Sequence, residues 1–132
     1  IWSSAGKGLR DNPRILLEGT EYSGLILSQY NSFRVYHAHN SWLQVLYDMG
    51  LPGLLLALVL TVVVVYDALV LLWYNPEPMK SVAAMLVLCI LGCSFLEPYL
   101  FGAYMEKQPI QFLFLLLSGY LDCWRAELRE AK

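Results

Sequence analysis

Apolar residues concentrate in three long runs in the second half of the chain, with short polar stretches between them. At about 1.5 Å of helical rise per residue, roughly 20 apolar residues cross the hydrocarbon core of a bilayer. Trp73 and Tyr74 close the first run with aromatic residues, which favour a membrane interface. The third run is the shortest and needs its flanking residues to span. The pattern predicts transmembrane helices over 51–74, 81–103 and 108–124, followed by a charged tail, 125–132.

The first part of the chain, residues 1–40, has a different pattern. It contains four basic residues and several glycines, and its two apolar triplets, 15–17 and 25–27, are too short to span a bilayer. We therefore predict a polar loop segment with short elements that lies outside the membrane and packs against it.

A short amphipathic stretch, residues 41–50, precedes the first apolar run. Asn40, Gln44 and Asp48 follow one another at intervals of four residues and share one helix face, opposite a more apolar one. Ser41 followed three residues later by Gln44 matches a capping box, whereas Gly50 and Pro52 are residues that end a helix. The spacing predicts a short interfacial helix that is capped by Ser41 and separated from the following span by a bend at Gly50.

The composition agrees with a membrane protein. Hydrophobic residues make up 58% of the 132 residues and charged residues 15%, whereas soluble domains contain about 25% charged residues. The net charge of −2, without a basic cluster, argues against nucleic-acid binding, and the apolar content excludes a disordered segment. Three cysteines in or beside apolar runs predict no disulfide framework. The start at Ile1, with no signal-peptide pattern, predicts a piece of a longer protein.

Both histidines of the chain lie in one polar motif, where the loop segment meets the interfacial helix. Residues 36–44 read Tyr-His-Ala-His-Asn-Ser-Trp-Leu-Gln, and residues 50–54 read Gly-Leu-Pro-Gly-Leu. This arrangement resembles the signature of the O-antigen ligase and O-antigen polymerase superfamily. In that signature, His-x-His-Asn and an aromatic-Leu-Gln/Glu step precede Gly-Leu-x-Gly-Leu at the start of a transmembrane helix.

The resemblance implies an all-α integral membrane protein, the C-terminal part of a polytopic helical bundle of the GT-C type in the bacterial cytoplasmic membrane. It also implies that residues 1–40 lie on the extracytoplasmic side. Such enzymes transfer a glycan from an undecaprenyl-diphosphate carrier to a glycan or lipid-core acceptor, with no cofactor and, in the ligases, no metal. The sequence does not choose between ligase and polymerase.

This chemistry suggests roles for the residues of the motif. A sugar hydroxyl that attacks an anomeric carbon must lose its proton, and histidine titrates near neutral pH, so His39 is the candidate base. His37 either shares this role or is a neighbour that faces solvent. Asn40 either orients His39 or caps the helix that follows.

The leaving lipid diphosphate gains negative charge, which arginine stabilises through paired hydrogen bonds. The candidates for this role, in order of increasing separation along the chain from His39, are Arg34, Arg14 and Arg10. Glu97 lies near the outer end of the second span, where it either pairs with a loop arginine or packs at Pro98. Asp67, within the first span, is expected to make a structural hydrogen bond.

Two other functions are compatible with the same residues. A non-enzymatic transporter or scaffold subunit for lipid-linked glycans would carry ionisable residues along a path through the membrane midplane, whereas here they gather at one interface. A metal-binding membrane sensor would use His37 and His39, but no third ligand lies near them at the usual spacing. Glycan transfer is therefore the leading hypothesis.

Overall fold

The computed structural model describes residues 1–74, 77–98, 100 and 108–130. These residues form α-helices and turns without a strand, which confirms the all-helical prediction for this part of the chain. In chain order the helices are α1 (Trp2–Asp11), α2 (Ile15–Glu18), α3 (Ser23–Gln29), α4 (Ser41–Tyr74), α5 (Pro78–Cys93) and α6 (Gln108–Glu130).

The three long helices share one apolar core. The part of α4 after Gly50 packs against α5 and α6 through fully buried side chains such as Leu71, Val87 and Leu121. Ala68 and Ala84 are also fully buried, and their small side chains let α4 and α5 approach closely. At the end of this core that lies far from Ser41, the Nε atom of Arg125 is 2.6 Å from the buried Oδ1 of Asp67. Asp67 is therefore held by an ion pair, where the sequence predicts a structural hydrogen bond.

The first three helices pack on the beginning of α4 and form a second, smaller core. Its centre is Tyr47, whose ring is fully buried and whose hydroxyl donates a hydrogen bond of 2.6 Å to the carbonyl of Ala5. Burial raises the pKa of Tyr47 to about 12. The predicted loop segment is therefore a packed helical unit, and Tyr47 joins α1 to α4.

Gly50 bends α4 as the sequence predicts. Its φ of 66° and ψ of −166° lie in a region that is essentially reserved for glycine, so the helix is interrupted there. The backbone of α2 packs against this bend. A Cβ atom at Gly50 would lie 2.7 Å from the carbonyl oxygen of Leu17, and one at Gly19 would collide with the carbonyl of Asp48. Two glycines thus allow the two backbones to touch.

Helix α5 differs from the predicted span over 81–103. It begins earlier, at Pro78, because proline is favoured in the first turn of a helix, and it already ends at Cys93. The residues after it form a turn, in which the hydroxyl of Ser94 donates to the carbonyl of Leu91 at 2.6 Å. Pro98 disfavours the helical conformation at the preceding residue. The apolar run conceals this stop, and residues 101–107 lie outside the described part of the chain.

Helix α6 begins at Gln108, as predicted, but passes without a break through most of the tail assigned to 125–132. Residues 125–130 are Arg, Ala, Glu, Leu, Arg and Glu, which are all favourable in helices. The ion pair between Arg125 and Asp67 also holds this last part of α6 against α4. The described part of the tail is therefore a continuation of the helix.

Among the described helices, only α4 is both long enough and apolar enough to cross a membrane. Its most apolar window of 18 residues has a mean hydropathy of 2.8, and 28% of that window is buried. Helix α5 is also apolar, but its 16 residues are fewer than the roughly 20 that cross the hydrocarbon core of a bilayer.

The bend at Gly50 can be tested by adding a methyl group. Gly50→Ala should lower the free energy of unfolding by about 1–3 kcal/mol through backbone strain alone, and the contact with Leu17 adds to this loss. Gly92→Ala is the matched control, because nothing lies within 4 Å of the point where its methyl group would sit and alanine favours the helical conformation. Chemical unfolding in detergent measures both, and equal effects of the two variants would contradict this account of the bend.

Candidate functional site

The site lies where the loop before α4 meets the turn after α5. The Nδ1 atom of His39 is 3.0 Å from Oε1 of Glu97, although 58 positions separate the two residues along the chain. Both side chains are partly accessible to solvent, at 42% for His39 and 32% for Glu97. The expectation that Glu97 pairs with a loop arginine or only packs at Pro98 is corrected, because its carboxylate contacts a histidine.

Ser41 holds the two parts of the site together. Its backbone N–H donates to the carbonyl of Ser94 at 2.8 Å, and its hydroxyl donates to the carbonyl of Glu97 at 2.9 Å. The same hydroxyl accepts the N–H of Leu100 at 3.2 Å. Ser41 is fully buried, so these bonds form away from competing water. They hold the backbone of Glu97 beside Ser41, which is two positions after His39 in the chain.

Asn40, and not Ser41, caps the helix. The Oδ1 atom of Asn40 accepts the N–H of Leu43 at 2.9 Å, which is the bond of an N-cap side chain three residues before its donor. The predicted capping box is wrong, because the side chain of Ser41 is used on the turn after α5. Of the two roles considered for Asn40, the structure shows the cap. Its amide nitrogen also donates to the carbonyl of Phe95 at 2.8 Å.

The side chain of Gln44 binds the loop that carries the two histidines. Its side chain is fully buried, and its Oε1 accepts the N–H of Ala38 at 2.9 Å. Its Nε2 donates to the hydroxyl of Ser23 at 3.0 Å and to the carboxylate of Asp48 at 2.8 Å. Burial raises the pKa of Asp48, while the hydrogen bonds from Gln44 and Ser23 lower it, and burial is the larger effect. The shared face predicted for Gln44 and Asp48 is confirmed.

His39 has an unusual backbone conformation. Its φ of 50° lies in the left-handed region, which few residues other than glycine adopt. Hydrogen bonds hold the residues on both sides of it. The N–H of Ala38 donates to the side chain of Gln44, and the side-chain amide of Asn40 donates to the carbonyl of Phe95. These bonds outweigh a strain of roughly 1–2 kcal/mol. Strained residues concentrate at functional sites, where the surrounding structure maintains them.

His37 lies beside His39. The ring centroids are 4.1 Å apart, and Nδ1 of His37 accepts the backbone N–H of His39 at 3.3 Å. Together with Glu97, the two histidines bring three possible metal-ligand atoms within 4.8 Å of one another. The sequence offered no third ligand at the usual spacing, because Glu97 reaches the histidines only through the packing of the turn after α5.

The three candidate arginines lie elsewhere in the described part of the chain. Arg10 is in the last turn of α1 and Arg14 immediately precedes α2, and both are exposed. Arg34 is also exposed, with its guanidinium 5.0 Å from the ring centre of Tyr36. It borders a shallow cavity of about 350 Å³ on α3, whose other walls include Gly24. Among the described residues, none of these arginines forms an ion pair with Glu97.

A histidine and carboxylate in this arrangement form a proton-accepting pair. A carboxylate that accepts Nδ1–H fixes the tautomer in which Nε2 carries the lone pair, and it stabilises the imidazolium that forms when Nε2 takes a proton. This assignment of the tautomer follows from the hydrogen bond. The solvent-accessible position of His39 leaves room for a substrate hydroxyl at the pair.

The residues that assemble the site differ in how clearly the sequence indicates them. Ser41 and Ser94 are ordinary small polar residues at helix ends, and nothing in their spacing indicates that one binds the other. Glu97 carries a stronger signal, since a carboxylate within a long apolar run is a functional candidate by default.

Comparisons of the chain with protein-family models, curated proteins and solved structures gave no match. The function of the site is therefore inferred from its geometry together with the residues of the histidine motif.

The buried carboxyl of Asp48 predicts how stability depends on pH. Because its pKa is higher in the folded than in the unfolded chain, ionisation of Asp48 disfavours folding, and this loss develops as the pH rises from the unfolded pKa through the folded one. Asp48→Asn removes the ionisation. We therefore expect Asp48→Asn to change the free energy of unfolding more favourably at pH 7 than at pH 4, relative to the unchanged protein. Unfolding in detergent at the two pH values measures this difference.

The matched control is Glu18→Gln, which alters an exposed carboxyl on α2. Its effect on stability should show less dependence on pH. An effect of Asp48→Asn that is the same at both pH values would contradict the role given to burial.

Proposed function

We propose that this chain is the C-terminal part of a membrane glycosyltransferase of the O-antigen ligase or polymerase type. The proposed reaction moves a glycan from an undecaprenyl-diphosphate carrier to a glycan or lipid-core acceptor. The observation that carries the proposal is the hydrogen bond between His39 and Glu97, because it equips the His-x-His-Asn motif with a proton acceptor.

In the proposed reaction His39 acts as the general base. The acceptor hydroxyl gives its proton to Nε2 of His39, and its oxygen forms a bond to the anomeric carbon of the donor sugar. The bond from that carbon to the diphosphate oxygen breaks, and the diphosphate leaves with the electron pair. Glu97 keeps Nδ1 protonated and stabilises the imidazolium. The proton is released when the site exchanges with solvent.

The other residues of the motif support this pair. Asn40 caps α4 and binds the carbonyl of Phe95, so this proposal gives it the role of positioning His39. His37 packs on the ring of His39 and limits its rotation. Arg34 is the arginine that this proposal assigns to the diphosphate, because it lies on the same loop as His39, five positions before it. Arg10, in the last turn of α1, and Arg14, immediately before α2, are given no role in it.

The surface of α4 supports a membrane location. Beyond Gly50 it exposes large apolar side chains, among them Leu56 at 73% and Val62 at 68%, and Trp73 near its end is 83% exposed. A surface of this kind is costly in water and favourable in lipid. We propose that α5 and α6 cross the bilayer beside α4, with the flanking residues completing the shorter helix α5.

The distribution of charge favours transfer chemistry over a transport pathway. A transporter carries ionisable residues at the midplane that face a path for the substrate. Asp67 is instead buried against Arg125, whereas His39 and Glu97 are open to solvent at the other end of the bundle. The accessible ionisable pair therefore lies at an interface, where a lipid-linked donor meets a polar acceptor.

The role of His39 can be tested without altering its backbone. Asparagine tolerates the left-handed conformation, so His39→Asn removes the imidazole with little strain. In the whole protein, it should lower transfer from a lipid-diphosphate donor by about 10²–10⁴-fold. Glu97→Gln should cause a smaller loss, because it removes the charge that stabilises the imidazolium but leaves the base in place.

Glu21→Gln is the control, since Glu21 is exposed near the start of α3. It should leave transfer unchanged, and donor binding should persist in all three variants. Turnover of His39→Asn close to that of the unchanged protein would remove His39 from the catalytic step.

The proposed topology can be tested by cysteine labelling. In a background without Cys89, Cys93 and Cys123, Ser32→Cys in the first part of the chain should react with an impermeant reagent added outside the cell. Glu130→Cys at the end of α6 should react only after the membrane is opened. Labelling from the same side in both variants would contradict three crossings.

A further inference from the structure

We propose that His37, His39 and Glu97 form a binding site for a Zn²⁺ ion. The three side chains offer two imidazole nitrogens and one carboxylate oxygen within 4.8 Å of one another. Two histidines and one glutamate are a donor set that zinc uses in proteins, with the fourth position left for water or a substrate.

The distances require only small movements of side chains. Zinc bonds of about 2.0–2.2 Å in a tetrahedral arrangement place neighbouring ligand atoms about 3.4 Å apart. The observed separations are at most 4.8 Å, so rotations of the partly exposed side chains that move the ligand atoms by about an ångström close the site. His39 and Glu97 are already 3.0 Å apart, which is within reach of a shared ion.

The surrounding hydrogen bonds hold the backbone at and between the ligand residues in place before an ion arrives. Ser41 fixes the backbone of Glu97, and Gln44 fixes Ala38 between the two histidines. A backbone that is already ordered reduces the conformational entropy lost when an ion binds. The loop therefore presents both imidazoles to the carboxylate without a folding step.

The existing bonds also indicate which atoms a metal would take. Nδ1 of His37 carries a lone pair, since it accepts the N–H of His39 over a long distance of 3.3 Å. A zinc ion is a stronger partner for this lone pair. On the side of Glu97, the ion replaces the proton that Nδ1 of His39 shares with the carboxylate. Imidazole nitrogens favour zinc over Mg²⁺ or Ca²⁺, which prefer oxygen ligands.

Zinc and glycan transfer would exclude each other at this site. This consequence rests on the proposed function, because an ion between His39 and Glu97 removes the pair that accepts the proton of the substrate. Zinc is then an inhibitor of transfer that a chelator reverses.

Cobalt provides a direct test of the site. The protein, purified without a histidine tag and with Cys89, Cys93 and Cys123 replaced by serine, is titrated with Co²⁺ in detergent. We expect one ion per chain, with the intense visible absorption of four-coordinate cobalt, and displacement by Zn²⁺. Glu97→Gln, His39→Asn and His37→Asn should each weaken binding by more than about tenfold.

The controls separate ligand loss from unfolding. Glu21→Gln, which changes an exposed carboxyl outside the cluster, should bind as the unchanged protein does. Circular dichroism and thermal unfolding without metal should show that the three ligand variants remain folded. Absence of the cobalt absorption, or the same affinity in Glu97→Gln, would overturn the zinc site.

The metal readout does not depend on transfer. Cobalt binding combined with transfer that zinc does not inhibit would leave the metal site intact and refute the role of His39 as base. Transfer that requires His39 combined with no cobalt binding would refute the metal site alone.

Discussion

The pairing of the start of α4 with the turn after α5 is the constraint on which the site depends. A single buried residue, Ser41, makes three hydrogen bonds to this turn and the chain beyond it. The turn exists because α5 ends at Cys93, well before its apolar run does. If α5 continued as a helix, the carboxylate of Glu97 would follow the helix axis and leave His39.

The same region connects the two cores of the protein. The long helices pack around residues such as Leu71 and Val87, while α1 to α3 pack around Tyr47 on the first turns of α4. Gly50 separates these two parts of α4 and receives the backbone of α2. The histidine loop thus lies between two packed units, and its strained conformation at His39 is maintained by bonds to both.

Much of the helical pattern could be predicted from the sequence, and the geometry of the site could not. Local signals identify the bend at Gly50 and the start of α6, because a glycine and the length of an apolar run are both local features of the sequence. The sequence predicts a cap at Ser41, although two adjacent residues, Asn40 and Ser41, both suit that position. Only the tertiary contact of Ser41 with the turn decides between them. The partner of His39 lies 58 positions away, beyond the range of any local pattern.

The central claim is that Glu97 holds His39 with Nδ1 protonated, and nitrogen NMR measures this directly. The chain contains two histidines, so ¹⁵N-histidine labelling gives two imidazole spin systems, which a His37→Asn variant assigns. The account predicts a protonated Nδ1 at His39 and a clear change in its ring signals in Glu97→Gln. A His39 that carries its proton on Nε2 alone, with signals unaffected by Glu97→Gln, would contradict it.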